Sequence, residues 1–92
     1  MSKALSKARL ADAAALMASG DWQKAHAIVQ EDEDSPLACW AHGITHLMEG
    51  DLPNARYWYR EAKRAFPEAP SAAAEISELR VSAGIASFGR KA

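Results

Sequence analysis

The chain has 92 residues, with 11 Lys and Arg against 12 Asp and Glu for a formal net charge of −1, one cysteine and 49% hydrophobic residues. That length predicts one domain burying roughly 60–65% of its unfolded surface, so its stability should be modest. The charge balance argues against a general nucleic-acid or membrane-surface binder, and one cysteine excludes an internal disulfide and fits a reducing compartment.

Basic residues open the chain, but Arg9 and Asp12 interrupt the apolar stretch that a signal peptide would need. No run approaches the roughly 18–20 apolar residues of a membrane span. A cytoplasmic protein is the expectation.

A first helix is predicted from about Lys3 to Ser19, with Leu5, Ala8, Leu10, Ala11, Ala14, Leu16 and Met17 recurring at three-and-four spacing. Gly20 supplies a left-handed residue to end it, and Asp21 caps the next helix. That second helix, about Trp22 to Glu31, turns Trp22, Ala25, Ile28 and Val29 to one side. It then meets Glu31-Asp32-Glu33-Asp34, four consecutive carboxylates that oppose the helix dipole and repel one another. This run reads as fraying into a loop closed by Ser35-Pro36.

Ser35 and Pro36 start a third helix that reaches Glu49, with Leu37, Trp40, Ala41, Ile44, Leu47 and Met48 facing the core. Gly50-Asp51 repeats the earlier corner thirty residues on. A fourth helix is predicted to about Phe66, aligning Ala55, Tyr59, Ala62 and Phe66, with Trp58 and Ala65 widening the stripe. Pro67 and Pro70 break the chain, and Ser71 caps a fifth helix to about Ala83 carrying Ala73, Ile76, Leu79 and Val81. Gly84 follows Gly50 by 34 residues.

The chain thus divides into a hairpin at 3–31, a hairpin at 35–66, a capping helix at 71–83 and a tail at 84–92, all within one domain. The expected fold is all-α, a right-handed array of helical hairpins with about five helices. Ile76, Leu79, Val81, Ile85 and Phe88 are more apolar than a polar cap needs. They predict a weak homodimer or a docked partner at that end, or a fold-back of Ile85 and Phe88 within one chain.

These residues resemble the tetratricopeptide repeat, a 34-residue helix pair. The second unit carries the likeness in Gly43, Gly50, Ala55, Tyr59, Ala62 and Pro67. The first unit carries it in Ala13, Gly20, Ala25 and Val29, but departs at Asp32 and lacks about four residues before Ser35. The third unit supplies only a first helix. The string from Trp40-Ala41-His42 through His46, Gly50-Asp51, Asn54-Ala55 and Tyr57-Trp58-Tyr59-Arg60 is also similar to one in small uncharacterised bacterial proteins. The repeat resemblance implies a non-enzymatic adaptor or scaffold that binds a protein or peptide and needs no cofactor.

Candidate site residues fall into three groups. Leu37, Trp40, Ile44 and Met48 would line a groove together with the first and fifth helices, with Trp40 either an aromatic anchor or packed on the neighbouring first helix. Arg56, Arg60, Lys63 and Arg64 form a basic stripe on the fourth helix. That stripe suits an acidic peptide segment better than nucleic acid, because Glu61 interrupts it and exposed helix faces are ordinarily charged.

The alternative function is metal binding by Cys39, His42 and His46. With Leu37 at zero on a helical wheel, these stand near about 200°, 140° and 180°, with Glu49 near about 120°. His26, on the second helix, would complete such a site or stand as a boundary residue with one hydrogen bond. No nucleophile elbow, phosphate-binding glycine loop or paired-carboxylate arrangement is present, so no enzymatic activity is expected.

Overall fold

The structure, a computed structural model, describes residues 4–85. They form five helices and no strand: α1 (Lys7–Ala18), α2 (Trp22–Val29), α3 (Pro36–Glu49), α4 (Leu52–Glu61) and α5 (Ala72–Ala83). The fold class is all-α. None of these helices is long and apolar enough to cross a membrane.

Both Gly-Asp corners form from local chemistry. Gly20 and Gly50 take φ of +90° and +89°, a conformation other residues adopt at a cost. The Asp21 N–H then donates to Leu16 O at 2.8 Å and the Asp51 N–H to His46 O at 2.9 Å, satisfying carbonyls left open at the helix ends. Asp21 Oδ1 accepts from the Lys24 N–H and Asp51 Oδ1 from the Asn54 N–H, which starts α2 and α4.

Three helix boundaries differ from expectation. The first helix begins at Lys7, because the Ser6 hydroxyl accepts the Arg9 N–H and caps it there. The second ends at Val29, two residues before the acidic run begins at Glu31. The fourth ends at Glu61 and does not reach Phe66. Lys63 adopts φ +61°, and the Arg64 N–H turns back to Tyr59 O at 3.0 Å, closing the helix without a glycine. Phe66 returns onto Tyr59 edge-to-face, with ring centroids 5.1 Å apart.

The core lies between α1, α2, α3 and α5, while α4 packs on α3. α5 lies against both α3 and α1, and the Tyr59–Glu75 hydrogen bond joins it to α4. Area explains this placement. An open face would leave Met17, Trp40 and Ile44 in water, and one tryptophan alone carries roughly 150–250 Å². Covering them with Ile76 and Leu79 makes Trp40, Ile44 and Leu79 completely buried. Ile76 and Leu79 are therefore used inside the chain, and Ile85 also packs against the core. Val81 stays 74% exposed. Phe88 lies outside the described residues.

A polar node fastens α5 from within. Glu75 Oε1 accepts the Trp40 indole N–H at 3.0 Å and the Tyr59 hydroxyl at 2.5 Å, tying α5 to α3 and α4. Burial, and then the bond to Glu75, push the Tyr59 phenol well above its ordinary pKa. The Arg64 guanidinium covers the Trp40 ring 3.4 Å from its centroid.

Candidate functional site

The groove expected along α3 is closed. Trp40 and Ile44 have no exposed surface, so neither can serve as an anchor; both are core residues beneath α5. Leu37 and Met48 are half-buried and stand apart. Leu37 borders a depression of about 380 Å³ with Leu5, Leu10 and Ala83, and Met48 borders one of similar size with Met17, Ile76 and Arg80.

The expected metal trio also changes membership. Cys39 is 1% exposed and its thiol donates to Glu33 O at 3.4 Å. Burial, followed by the nearby carboxylates of Asp32, Glu61, Asp34 and Glu33, pushes that thiol up to about 11. Covered by the 30–35 loop, the thiol does not converge with the ligand atoms of the histidines. The helical wheel put Cys39 on the histidine side, but it could not show that a loop would cover it.

His26 takes the third place. It extends from α2 toward α3, and its Nε2 lies 3.1 Å from His42 Nε2. Ring centroids are 4.7 Å apart for His26 and His42, 5.1 Å for His26 and His46, and 5.2 Å for His42 and His46. His42 and His46 share a face of α3 because they are four residues apart. Candidate ligand atoms of all three lie within 4.8 Å of one another.

Surroundings distinguish the three rings. His42 is 3% exposed and stacks on Trp58 of α4, with centroids 3.9 Å apart and planes 10° from parallel. Burial, then the neighbouring His26 and His46, lower its pKa to about 3, so it is neutral at physiological pH. Its Nδ1 is buried and has no hydrogen-bond partner. Burial likewise lowers the pKa of His26, with His46 adding to the shift and Glu49 opposing it. His46 Nδ1 meets Glu49 Oε1 at 2.8 Å.

The second expected group is exposed as a basic face. Arg56, Arg60, Lys63 and Arg64 all reach solvent, although Lys63 and Arg64 belong to the turn after α4. Among the described residues Arg9–Glu31 and Lys24–Asp21 form ion pairs and Glu49 meets His46, and none of these contacts uses these four cations. The three arginines meet rings: Arg56 lies 5.1 Å from the Phe66 centroid, Arg60 5.9 Å from that of Tyr57, and Arg64 covers Trp40. Tyr57 is 44% exposed and stands edge-on to Trp58.

No family model, curated protein or solved structure matches the chain. The likeness to tetratricopeptide repeats accordingly rests on the residues that carry it, and function has to be argued from the two surfaces just described.

Proposed function

We propose that the chain is a non-enzymatic binding module that receives an acidic segment of a partner protein on the outward face of α4 and the turn that follows it. The observation that carries this reading is the group Arg56, Arg60 and Lys63, exposed and without a carboxylate partner among the described residues. A chain of net charge −1 has carboxylates enough to pair them, yet its ion pairs form elsewhere. Tyr57 adds an exposed aromatic surface beside Arg60, the kind of side chain that anchors a peptide at low entropic cost.

Exposed charge pairs contribute about 0.2–1 kcal/mol each, so such binding is weak, fast and sensitive to salt. The rigid support is α3, against which Ala55, Tyr59 and Ala62 are buried. A cytoplasmic setting fits a single cysteine held as a buried thiol.

Fluorescence anisotropy of a labelled Glu-rich peptide tests the proposal, with a labelled oligothymidylate in parallel. Binding of the acidic peptide should weaken with added salt and vanish in R56E/R60E. Failure of that peptide to bind, or equal binding by the double variant, would overturn the reading. Binding of the oligothymidylate alone would transfer the face to single-stranded nucleic acid.

A further inference from the structure

A core histidine kept only for packing ordinarily has both ring nitrogens satisfied, since an unpaired buried polar group is costly. The junction of α2, α3 and α4 departs from that. Three imidazoles converge there, sharing one nitrogen–nitrogen contact, and the most buried of them leaves a nitrogen without a partner. Apolar side chains of similar volume would pack against Trp58 without this cost.

We propose that His26, His42 and His46 form a binding site for a first-row divalent cation of intermediate softness, with Zn²⁺ as the reference ion, and that Glu49 is its positioning residue. Imidazole nitrogens suit Zn²⁺, Ni²⁺, Co²⁺ and Cu²⁺, whereas Mg²⁺ and Ca²⁺ require oxygen ligands. In a tetrahedral site with metal–nitrogen bonds of about 2.0–2.1 Å, ligand nitrogens stand about 3.3–3.4 Å apart. His26 Nε2 and His42 Nε2, at 3.1 Å, are already near that spacing. The remaining pairs lie within 4.8 Å and close by rotation of the rings about their side-chain torsions.

Glu49 supplies the supporting contact that ligating histidines usually have. By accepting the Nδ1–H of His46 at 2.8 Å, it leaves Nε2 bare and fixes the ring's orientation. His26, the least buried of the three, stands at the outer edge, where the ion enters and water fills the fourth position. In the metal-free protein a single N–H lies between His26 and His42. Ligation through both Nε2 atoms moves that proton to the other nitrogen of its own ring, and no proton leaves the pair. On His42 that nitrogen has no partner, which holds the affinity below that of a site whose every ligand is supported.

Isothermal titration of the chelator-treated full chain, lacking any histidine tag, with ZnCl₂ at pH 7.5 tests the site. The wild type should bind one ion per chain. His26→Gln, which keeps the volume of a half-exposed residue, should weaken binding at least about tenfold, and Glu49→Gln about 10–100-fold. Cys39→Ser should bind as the wild type does. Nickel should quench Trp58, judged against Trp58→Phe, because that ring stacks on His42. The ¹⁵N shifts of His46 should show loss of the single tautomer in Glu49→Gln, with recovery in Glu49→Asp. Metal-free melting curves of each variant establish that it folds. Absence of binding to the wild type, or His26→Gln binding within twofold of it, would overturn the site. Unchanged affinity and unchanged His46 shifts in Glu49→Gln would overturn the role of Glu49.

Discussion

Gly43 lies so close to Tyr59 that a methyl group placed on it would stand 2.6 Å from Cδ1 and 2.9 Å from Cε1 of the ring. The ring cannot swing aside. Tyr59 is 1% exposed, its hydroxyl is bound to Glu75, and Phe66 stands against its face. The same methyl would press on Ala55 O at 3.2 Å. In a helix, Gly→Ala ordinarily gains about 1 kcal/mol from propensity. Here overpacking should exceed that gain, at about 1–3 kcal/mol. Gly43→Ala should therefore unfold at lower urea, and a more stable variant would show that α3 and α4 are not in such close contact.

Lys63 offers the opposite case. It occupies the left-handed region with φ +61° at a helix end where Gly20, Gly50 and Gly84 serve elsewhere in the chain. A side chain there costs about 1 kcal/mol or more relative to glycine, partly offset by the greater freedom of glycine in the unfolded chain. Lys63→Gly should raise stability by about 0.5–1 kcal/mol in urea titration. A loss of similar size would show that the turn adopts another conformation.

These two positions mark how far a sequence reading reaches. The Gly-Asp corners were legible because both halves of the signal are local: a glycine that tolerates positive φ, and an aspartate that accepts an N–H three residues on. The end of α4 was not, since Lys63 has no such tolerance to advertise. The closing of the groove by α5 was equally invisible, because helical periodicity identifies an apolar face and says nothing of which face will cover it. For the candidate site, the His42/His46 pair follows from spacing. His26 could be placed near it by the corner, whereas Cys39 was drawn in by wheel angle alone. The fastening role of Asp32 is not legible in the sequence, because its acidic neighbours look the same there and one of its partners lies 27 residues away.

Glu75 should prove the most sensitive surface-accessible carboxylate. Glu75→Ala strands the Trp40 indole N–H and the Tyr59 hydroxyl in a region that water does not reach. Two buried donors without an acceptor predict a loss of about 2–4 kcal/mol. Glu75→Gln keeps an oxygen in place and should cost less than half as much. The comparison is made by urea unfolding at neutral pH. Equal and small losses in both variants would show that the node contributes little to holding α5 over the core.

Asp32 gives a prediction in pH. It is 1% exposed, and its Oδ2 accepts the Leu5 N–H while Oδ1 accepts the N–H groups of Asp34 and Ser35, each at 3.0 Å. Burial alone would raise its pKa, but hydrogen bonds from Ser35, Leu5 and Asp34 outweigh it and hold the group down to about 2, against an ordinary 3.8. Between those values the unfolded chain binds a proton that the folded chain does not, so stability rises with pH across this window. The contribution of Asp32 is complete above about pH 4 and is lost as pH falls toward 2; the shift corresponds to about 2 kcal/mol. In Asp32→Asn the amide can still accept from Asp34 and Ser35 but turns a donor toward the Leu5 N–H. It should be less stable than the wild type by about 2–3 kcal/mol at pH 7. Titrating the other carboxylates affects both proteins alike, so the difference between their unfolding free energies isolates Asp32. That difference should be constant from pH 7 to 5 and shrink steadily from pH 4 to 2.5. A difference that stays flat through the acid range would show that Asp32 does not fasten the chain before α1 to the α2–α3 loop as a charged acceptor.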